Sequence, residues 1–488
     1  MDARISMLQP RHMIHAVLSS RRAALVAAAG GALVGLWAAV GDPVQLGSLM
    51  VVAVLAGAIL ASPELGVMAF IAAASLLPFA VIPTRMAFNP TLIDVIVTSL
   101  LASWLLRVLL TRHLPEGSAL DSAILLYLGL AVVSFTLGLT YQISPERFRL
   151  FLKSINSTLL FFSVLNCVRS VGQLRRAIAA LLWAGTAAAA VALIILYLPE
   201  EMATGALSSL GFLGYPTGPG VLRPIADSDV LRAIGTSVDP NVLGGLLMMT
   251  ASLLFAQLAS ASPVLPKRTL ALMLPPLLAA LLLTHSRSAL GGFVVAAFAI
   301  AVLRDRRLLL ALLAGVLAVL LLPQSRLLVE RLVSGVTFQD RAALMRLDEY
   351  HNALTTVARY PWFGIGFGNT PSIDLFLGVS SMYLLIGQEM GLLGLGAFLL
   401  VLALQAWHLG QAWVRSRTDD EKSLLATVAA PLLAAAAAGL LDHYYVNIVF
   451  PHMVGLFWLH MGLATVASRR KEDSRAVPRP PSSPKHRQ

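Results

Sequence analysis

The sequence predicts an all-α fold, a polytopic transmembrane helical bundle of about 12 to 14 spans. Hydrophobic residues make up 57% of the 488-residue chain and charged residues only 12%, whereas a soluble domain carries about 25% charged residues. The apolar residues form continuous runs, such as 177–198, with the length of a membrane-spanning helix. A β-barrel would show short segments of alternating hydrophobicity instead. These observations exclude an ordinary globular protein and a barrel.

The predicted spans follow one another through mostly short connections. By length, we expect them at approximately 23–40, 46–62, 65–83, 92–110, 120–140, 149–168, 177–198, 241–260, 269–284, 288–303, 308–323, 382–406, 423–440 and 447–467. The single cysteine, Cys167, lies in an apolar run, so an intramolecular disulfide framework is excluded.

The distribution of arginine and lysine orients the bundle. The net charge of +11 sits on alternate connections and in the C-terminal tail, so the positive-inside rule explains it without nucleic acid. Both termini are then predicted to be cytoplasmic. The predicted order is N-terminal helices at 1–198, a first outer loop at 199–240, central helices at 241–323, a large outer loop at 324–381, C-terminal helices at 382–467 and a disordered basic tail at 468–488.

The large outer loop contains a predicted amphipathic helix. Leu344, Leu347 and Leu354 recur at helical spacing within about 340–359, and we expect the outer rim of the bundle to bury them. Pro361 ends this helix. The glycines at 364, 366 and 368 resemble a nucleotide-binding loop, but no strand precedes them and no Lys-Ser/Thr pair follows. A tight turn with close backbone approach is the prediction.

Arginines in or near the outer segments are the strongest candidates for ligand binding. Arg287 lies in the sequence THSRSALGG between two predicted spans, where a charge must face water, protein or a ligand. The small residues around it let helices approach closely or leave room for a ligand. Arg223 and Arg232 lie in the first outer loop, and a planar guanidinium suits bidentate phosphate recognition. Asp239-Pro240, by contrast, has the pattern of a helix N-cap.

Several other polar residues fall within or near the predicted spans. Glu389 lies about two turns into the predicted span that starts near Tyr383, and a carboxylate at that depth must be paired or face a cavity. Structural pairing and catalysis are both open for Glu389. For Asp94, Lys153 and Asp442, we expect interhelical hydrogen bonds or ion pairs.

Four segments together resemble the bacterial O-antigen ligase and polysaccharide polymerase superfamily. Their order and spacing carry the resemblance, which covers about the C-terminal half of the chain. The segments are GTSVDPNVLGG, THSRSALGG, RLDEYHNALTTVARYPWFGIGFGN and MYLLIGQEMGLLGLGAF.

The resemblance implies glycosyl transfer at the outer face of a bacterial inner membrane. The implied donor is a glycan on undecaprenyl diphosphate, and the implied acceptor is a glycan or lipid A-core, with membrane lipids and other polysaccharide assembly proteins as further partners. No metal or other cofactor is implied. On this basis Arg287, Arg232 and Arg223 are predicted to hold the diphosphate, which is also the leaving group. Further predicted substrate-binding residues are Arg341, Arg346, Ser380 and Tyr383.

One departure from the family bears on the type of reaction. Ligases of this family commonly carry a His-Asn pair where this chain has Ser380-Ser381, and a serine hydroxyl is not a base near neutral pH without help. Either the base lies elsewhere, with His351 and Glu389 as the candidates, or the chain is a polymerase-type member. The departure favours an exopolysaccharide or O-antigen polymerase over a lipopolysaccharide ligase.

Two hypotheses from other functional classes remain. A secondary transporter of a small anion or solute would also carry intramembrane ionisable residues, usually within two repeated halves; no internal repeat is evident. A purely structural membrane subunit would not require arginines clustered in the outer loops.

Overall fold

The computed structural model describes residues 43–83, 90–111, 116–141, 143–225, 228–304, 306–321, 341–367 and 379–473. Within these residues the fold is all-α, as predicted, and the extended pairing consists of two isolated bridges. The predicted first span at 23–40, Gly368 and most of the predicted basic tail lie outside the described residues.

Fifteen α-helices occur in the described part of the chain. They are α1 (Pro43–Ala61), α2 (Pro63–Leu76), α3 (Leu92–Thr111), α4 (Asp121–Gly138), α5 (Pro145–Cys167), α6 (Val171–Tyr197), α7 (Glu200–Ser208), α8 (Pro240–Leu258), α9 (Lys267–Leu283), α10 (Arg287–Arg304), α11 (Arg306–Leu321), α12 (Arg341–Arg359), α13 (Met382–Arg415), α14 (Asp419–Ala438) and α15 (Pro451–Asp473). Eight of them are long and apolar enough to cross a membrane, so the chain is a multi-pass membrane protein.

The core of the bundle lies around α8 and α15. α8 is buried along most of its length, and α15 packs against α5, α13 and α14. Small residues allow close contacts nearby: a Cβ added to Gly292 would lie 2.6 Å from the Ala434 carbonyl oxygen. The glycine therefore lets α10 approach α14, as its sequence context predicts.

The start of α8 confirms the predicted N-cap. The Asp239 carboxylate accepts hydrogen bonds from the backbone N–H groups of Asn241, at 2.8 Å, and Val242, at 3.0 Å. Pro240 occupies the first turn of the helix, where the missing N–H has no intrahelical partner to lose. This cap fixes the point at which the first polar segment enters the bundle.

α13 is broken at Gly391, whose φ is +67°. The predicted glycine turn fills the break. The N–H groups of Ile365 and Gly366 donate to the carbonyls of Gln388 and Glu389 at 3.0 and 2.9 Å, and the N–H of Leu392 donates to the Pro361 carbonyl at 2.7 Å. The turn thus satisfies backbone groups that an interrupted helix would leave unpaired.

The close backbone approach expected for the glycines is confirmed at two of them. A Cβ added to Gly364 would lie 2.5 Å from the Gln388 carbonyl oxygen, and one added to Gly366 would lie 2.6 Å from Gly138 Cα. Both residues also have positive φ, at +67° and +77°. Only glycine meets both requirements without strain.

The amphipathic helix of the large loop is confirmed as α12, but the expected burial of its leucines is wrong. Leu344, Leu347 and Leu354 are exposed at 50%, 44% and 57%. α12 packs on α13 through its opposite face, where Ala353 and Thr356 are fully buried. Polar anchoring, described below, sets the orientation of α12, so the leucines remain available to an apolar surrounding.

Candidate functional site

Arg287 begins α10 directly after a tight reversal of the chain. Thr284 caps the turn: its hydroxyl donates to the Leu281 carbonyl at 2.7 Å and accepts from the Ser286 N–H at 3.2 Å. His285 between them has a φ of +52°, which is uncommon for a residue with a side chain. A guanidinium at a helix N-terminus faces the positive end of the helix dipole. Helix stability therefore does not account for Arg287.

Arg232 lies against the same reversal. Its Nε donates to the Thr284 carbonyl at 2.8 Å, and its Nη2 donates to the Asn241 side-chain oxygen at 2.8 Å. The Arg232 backbone N–H donates to the carbonyl of Arg223, at 2.9 Å, and the Arg223 side chain is exposed. The structure thus brings Arg232 to the turn that carries Arg287, with Arg223 on the adjoining extended segment.

Asp442 connects this turn to the C-terminal helices. Its Oδ2 accepts a hydrogen bond from the Ser288 hydroxyl at 3.1 Å, and Ser288 Oγ lies 3.1 Å from Ser286 Oγ. The Asp442 carboxylate also accepts from the His443 N–H at 2.9 Å, and the His443 Nδ1 lies 3.5 Å from Asp442 Oδ1. The predicted interhelical hydrogen bond of Asp442 is therefore present, and it has an imidazole beside it.

α12 is anchored to the same end of the bundle by polar contacts. The Tyr350 hydroxyl lies 3.0 Å from the Ser380 carbonyl and 3.1 Å from the Leu440 carbonyl. The Glu349 carboxylate accepts from both the N–H and the hydroxyl of Ser380, at 2.9 and 2.7 Å. These bonds join α12 to the start of α13 and the end of α14. We call this end of the bundle, where α10 and α13 begin, the Arg287 end.

The electrostatics of the Arg287 end centre on Asp442. Burial raises the pKa of Asp442, while His443, Arg346 and the Ser288 hydrogen bond favour its ionised form. Burial also raises the pKa of Tyr350, against the opposing charge of Arg346. Arg346 therefore lies close enough to act on both groups, which places one of the predicted substrate-binding arginines at this end.

The other predicted residues are distributed differently. His351 is exposed and shares a helix face with the exposed Leu347 and Leu354, at spacings of four and three residues. It therefore lies away from the face that carries Arg346 and Tyr350. The Tyr383 hydroxyl donates to the Ala436 carbonyl at 2.8 Å, which ties it to α14. Arg341 begins α12.

Glu389 lies apart from the Arg287 end. It is seven residues beyond Met382, or about 10 Å along the helix axis. Its side chain is 7% exposed and lines a small cavity with Tyr127, Ser154 and Phe367. Arg147 lies near this cavity, because its guanidinium donates to the carbonyl of Phe367 at 3.2 Å. The backbone carbonyl of Glu389 thus pairs with the glycine turn, while its side chain lines this separate cavity.

Sequence reasoning missed His443 and the anchoring pair Glu349 and Tyr350. The signal for His443 was a run of polar and aromatic residues, DHYY at 442–445, between two apolar segments. The signal for Glu349 and Tyr350 was their position, two residues and one residue before His351. A spacing pattern could not show which face of α12 meets the bundle.

The comparisons with known proteins agree with the predicted resemblance. Residues 270–399 match a family described as O-antigen ligase, a segment that includes Arg287, α12, Ser380 and Glu389. No curated protein matches the chain. A chain from a solved structure, described as "Structural coordination of polymerization and crosslinking by a peptidoglycan synthase complex", has 16% sequence identity, with 72% of this chain and 97% of that chain covered and a TM-score of 0.39. A likeness at that level does not extend to activity.

Proposed function

Because residues 270–399 carry an O-antigen ligase domain, we propose that this protein transfers or polymerises an undecaprenyl diphosphate-linked glycan at the outer face of the inner membrane. The observation that carries the proposal is the convergence at the Arg287 end. The turn before α10, the anchored helix α12 and the 439–450 connection meet there through Ser288, Asp442 and Tyr350.

The arginines suit the leaving group of this reaction. An acceptor hydroxyl oxygen attacks the anomeric carbon of the donor sugar, and the bond from that carbon to the diphosphate oxygen breaks. The electron pair stays on the diphosphate, whose negative charge increases as it departs. Fixed guanidinium groups stabilise such developing charge. Arg287 takes this role, with Arg232 at the same turn, Arg223 on the adjoining extended segment and Arg346 on the α12 side.

The proton of the acceptor hydroxyl needs a base. His443 fits this role best, because its imidazole is half-buried beside the Asp442 carboxylate at the Arg287 end. A neighbouring carboxylate orients an imidazole and stabilises its protonated form. His351 lies on the exposed face of α12 and Glu389 in a separate cavity, so both fit the role less well.

A polymerase is favoured over a ligase. Ser380 stands where ligases of the family commonly carry histidine, and its hydroxyl is engaged by Glu349 at 2.7 Å. Ser380 thereby anchors α12 instead of serving as a base. An acceptor that is itself a lipid-linked or growing glycan is then the proposed partner.

The interrupted helix α13 is a feature that favours the transporter alternative, since transporters bind solutes at helix breaks. In this chain the backbone of residues 361–366 occupies the break, which argues against a solute site there.

Reconstitution tests the proposal directly. Purified protein in vesicles, supplied with an undecaprenyl diphosphate-linked oligosaccharide, should release undecaprenyl diphosphate and form longer glycans. Release without elongation, observed only when lipid A-core is added, would indicate a ligase. Uptake of a solute with no release of undecaprenyl diphosphate would contradict glycosyl transfer.

A further inference from the structure

A second cavity lies at the end of the bundle opposite to the Arg287 end. It forms where α4 begins and where α13 and α15 end, and its volume is about 310 Å³. Polar and aromatic side chains line it, among them Trp407, His408, Gln411, Arg415, Ser468 and Arg469. The cavity is therefore remote from the proposed glycan site, and nothing in that reaction uses it.

Two guanidinium groups give this cavity its cationic character. Arg415 is exposed at the end of α13. Arg469 Nη1 lies 3.8 Å from a carboxylate oxygen of Glu116, whose side chain is 56% exposed. Such a long, solvated ion pair is weak, so an anion that reaches Arg469 within the cavity can compete with Glu116 for it.

Asp121, which follows the cavity-lining residue Leu120, takes part in a local cap. Both oxygens of Asp121 accept hydrogen bonds from Ser118, one from its N–H at 2.7 Å and one from its hydroxyl. The cap holds Asp121 at the start of α4, and its hydrogen bonds partly stabilise the negative charge of the carboxylate. Among the described residues, the lining of the cavity contains two arginines and no acidic residue.

The cavity opens beside an apolar surface. Trp407 is 63% exposed and Val414, next to Arg415, is 82% exposed. Tryptophan with a polar neighbourhood on one side and apolar residues on the other is typical of the membrane–water interface. The polar headgroup of an amphipathic ligand bound here would contact the arginines, and its apolar tail would contact the hydrocarbon of the bilayer.

We propose that this cavity binds the headgroup of an anionic phospholipid. The phosphate contacts Arg415 and Arg469, the glycerol and headgroup hydroxyls contact Gln411 and Ser468, and the acyl chains pass Trp407 into the bilayer. The arginine and lysine pattern predicts that this end is cytoplasmic, the side on which basic pockets between helices bind acidic lipids.

Native mass spectrometry of the full-length protein tests the proposal. Delipidated protein is titrated with phosphatidylglycerol or phosphatidylcholine, and lipid-bound protein is counted. We expect a preference for phosphatidylglycerol that falls about tenfold in a protein carrying Arg415→Ala and Arg469→Ala, since each arginine near an anionic lipid contributes several-fold in affinity. The matched control is Arg417→Ala, an exposed arginine two residues beyond the cavity lining, which should keep the preference.

Two further measurements distinguish lipid binding from misfolding of the variant and from binding of a soluble phosphate ester. Arg415→Lys with Arg469→Lys keeps the charge and should retain most of the preference, so that a loss caused by misfolding is recognised. Soluble glycerol 3-phosphate should displace the lipid only at far higher concentration, because it lacks the chains. Equal preference in wild type and the double alanine variant would overturn the proposal. Equal competition by glycerol 3-phosphate would also do so and would indicate a site for soluble phosphate esters.

Discussion

The hydroxyl of Ser288 donates a hydrogen bond to the carboxylate of Asp442 across 3.1 Å. This bond links the start of α10 to the 439–450 connection, two segments separated by 154 positions in sequence. Both groups are buried, at 2% and 6% exposure. Removing either partner would therefore leave a buried polar group without its hydrogen bond, which costs free energy. The arrangement holds Arg287 and His443 at one end of the bundle.

The buried carboxylate should make stability depend on pH. Burial raises the pKa of Asp442, so its contribution to stability is full below the unfolded pKa of about 4 and is lost as the pH rises through the folded pKa. The melting temperature of the wild type should therefore fall as the pH rises through this range. Asp442→Asn should abolish the part of that fall that is due to Asp442. Asp420→Asn, at an exposed site, should retain it. Superimposable profiles of melting temperature against pH for wild type and Asp442→Asn would refute the assignment.

The helix break should require glycine at position 391. A Cβ there would lie 2.5 Å from the carbonyl of Trp362 at a φ of +67°, so Gly391→Ala should lower the free energy of unfolding by about 1–3 kcal/mol. Gly396→Ala, in the same helix with no atom within 4 Å of the added Cβ, should be neutral or slightly stabilising. Melting temperatures in detergent measure both. Equal effects of the two substitutions would show that the break is not needed.

The three candidate bases should differ in kinetics. His443→Gln should lower the rate of glycan transfer by about 10²–10⁴-fold, the usual contribution of a general base. His351→Gln should stay within about twofold of wild type, because His351 lies on the exposed face of α12. Glu389→Gln retains the size of the side chain and should change melting temperature more than rate. Loss of transfer in His351→Gln with full activity in His443→Gln would reverse the proposed assignment.

The sequence predicted the helical bundle, the Asp239 cap and the glycine turn, because each follows from local chemistry: apolar run length, an N-cap pattern, and the backbone freedom of glycine. It did not predict which face of α12 would pack. The leucine pattern favoured burial of Leu347 and Leu354, yet the hydrogen bonds of Glu349 and Tyr350 to Ser380 and Leu440 orient the opposite face inward. Contacts of that kind join segments far apart in sequence, and periodicity carries no information about them.

Cysteine labelling tests the predicted orientation. Asp348→Cys replaces an exposed polar residue of α12, and Arg306→Cys lies at the exposed start of α11; the native Cys167 is buried. A membrane-impermeant maleimide added to intact cells with a permeable outer membrane should modify the first and spare the second. Labelling at position 306 alone would invert the topology and move the Arg287 end to the cytoplasmic side.

The most direct test of the account is the activity of Arg287 variants in the reconstituted transfer assay. Arg287→Ala should abolish release of undecaprenyl diphosphate, and Arg287→Lys should restore only part of it, because an ammonium group lacks the planar, bidentate fork of a guanidinium. Arg306→Ala, at the exposed start of α11 and near the other end of α10, is the matched control and should transfer at the wild-type rate. Wild-type transfer by Arg287→Ala would contradict the account, since the leaving diphosphate would then not depend on this arginine.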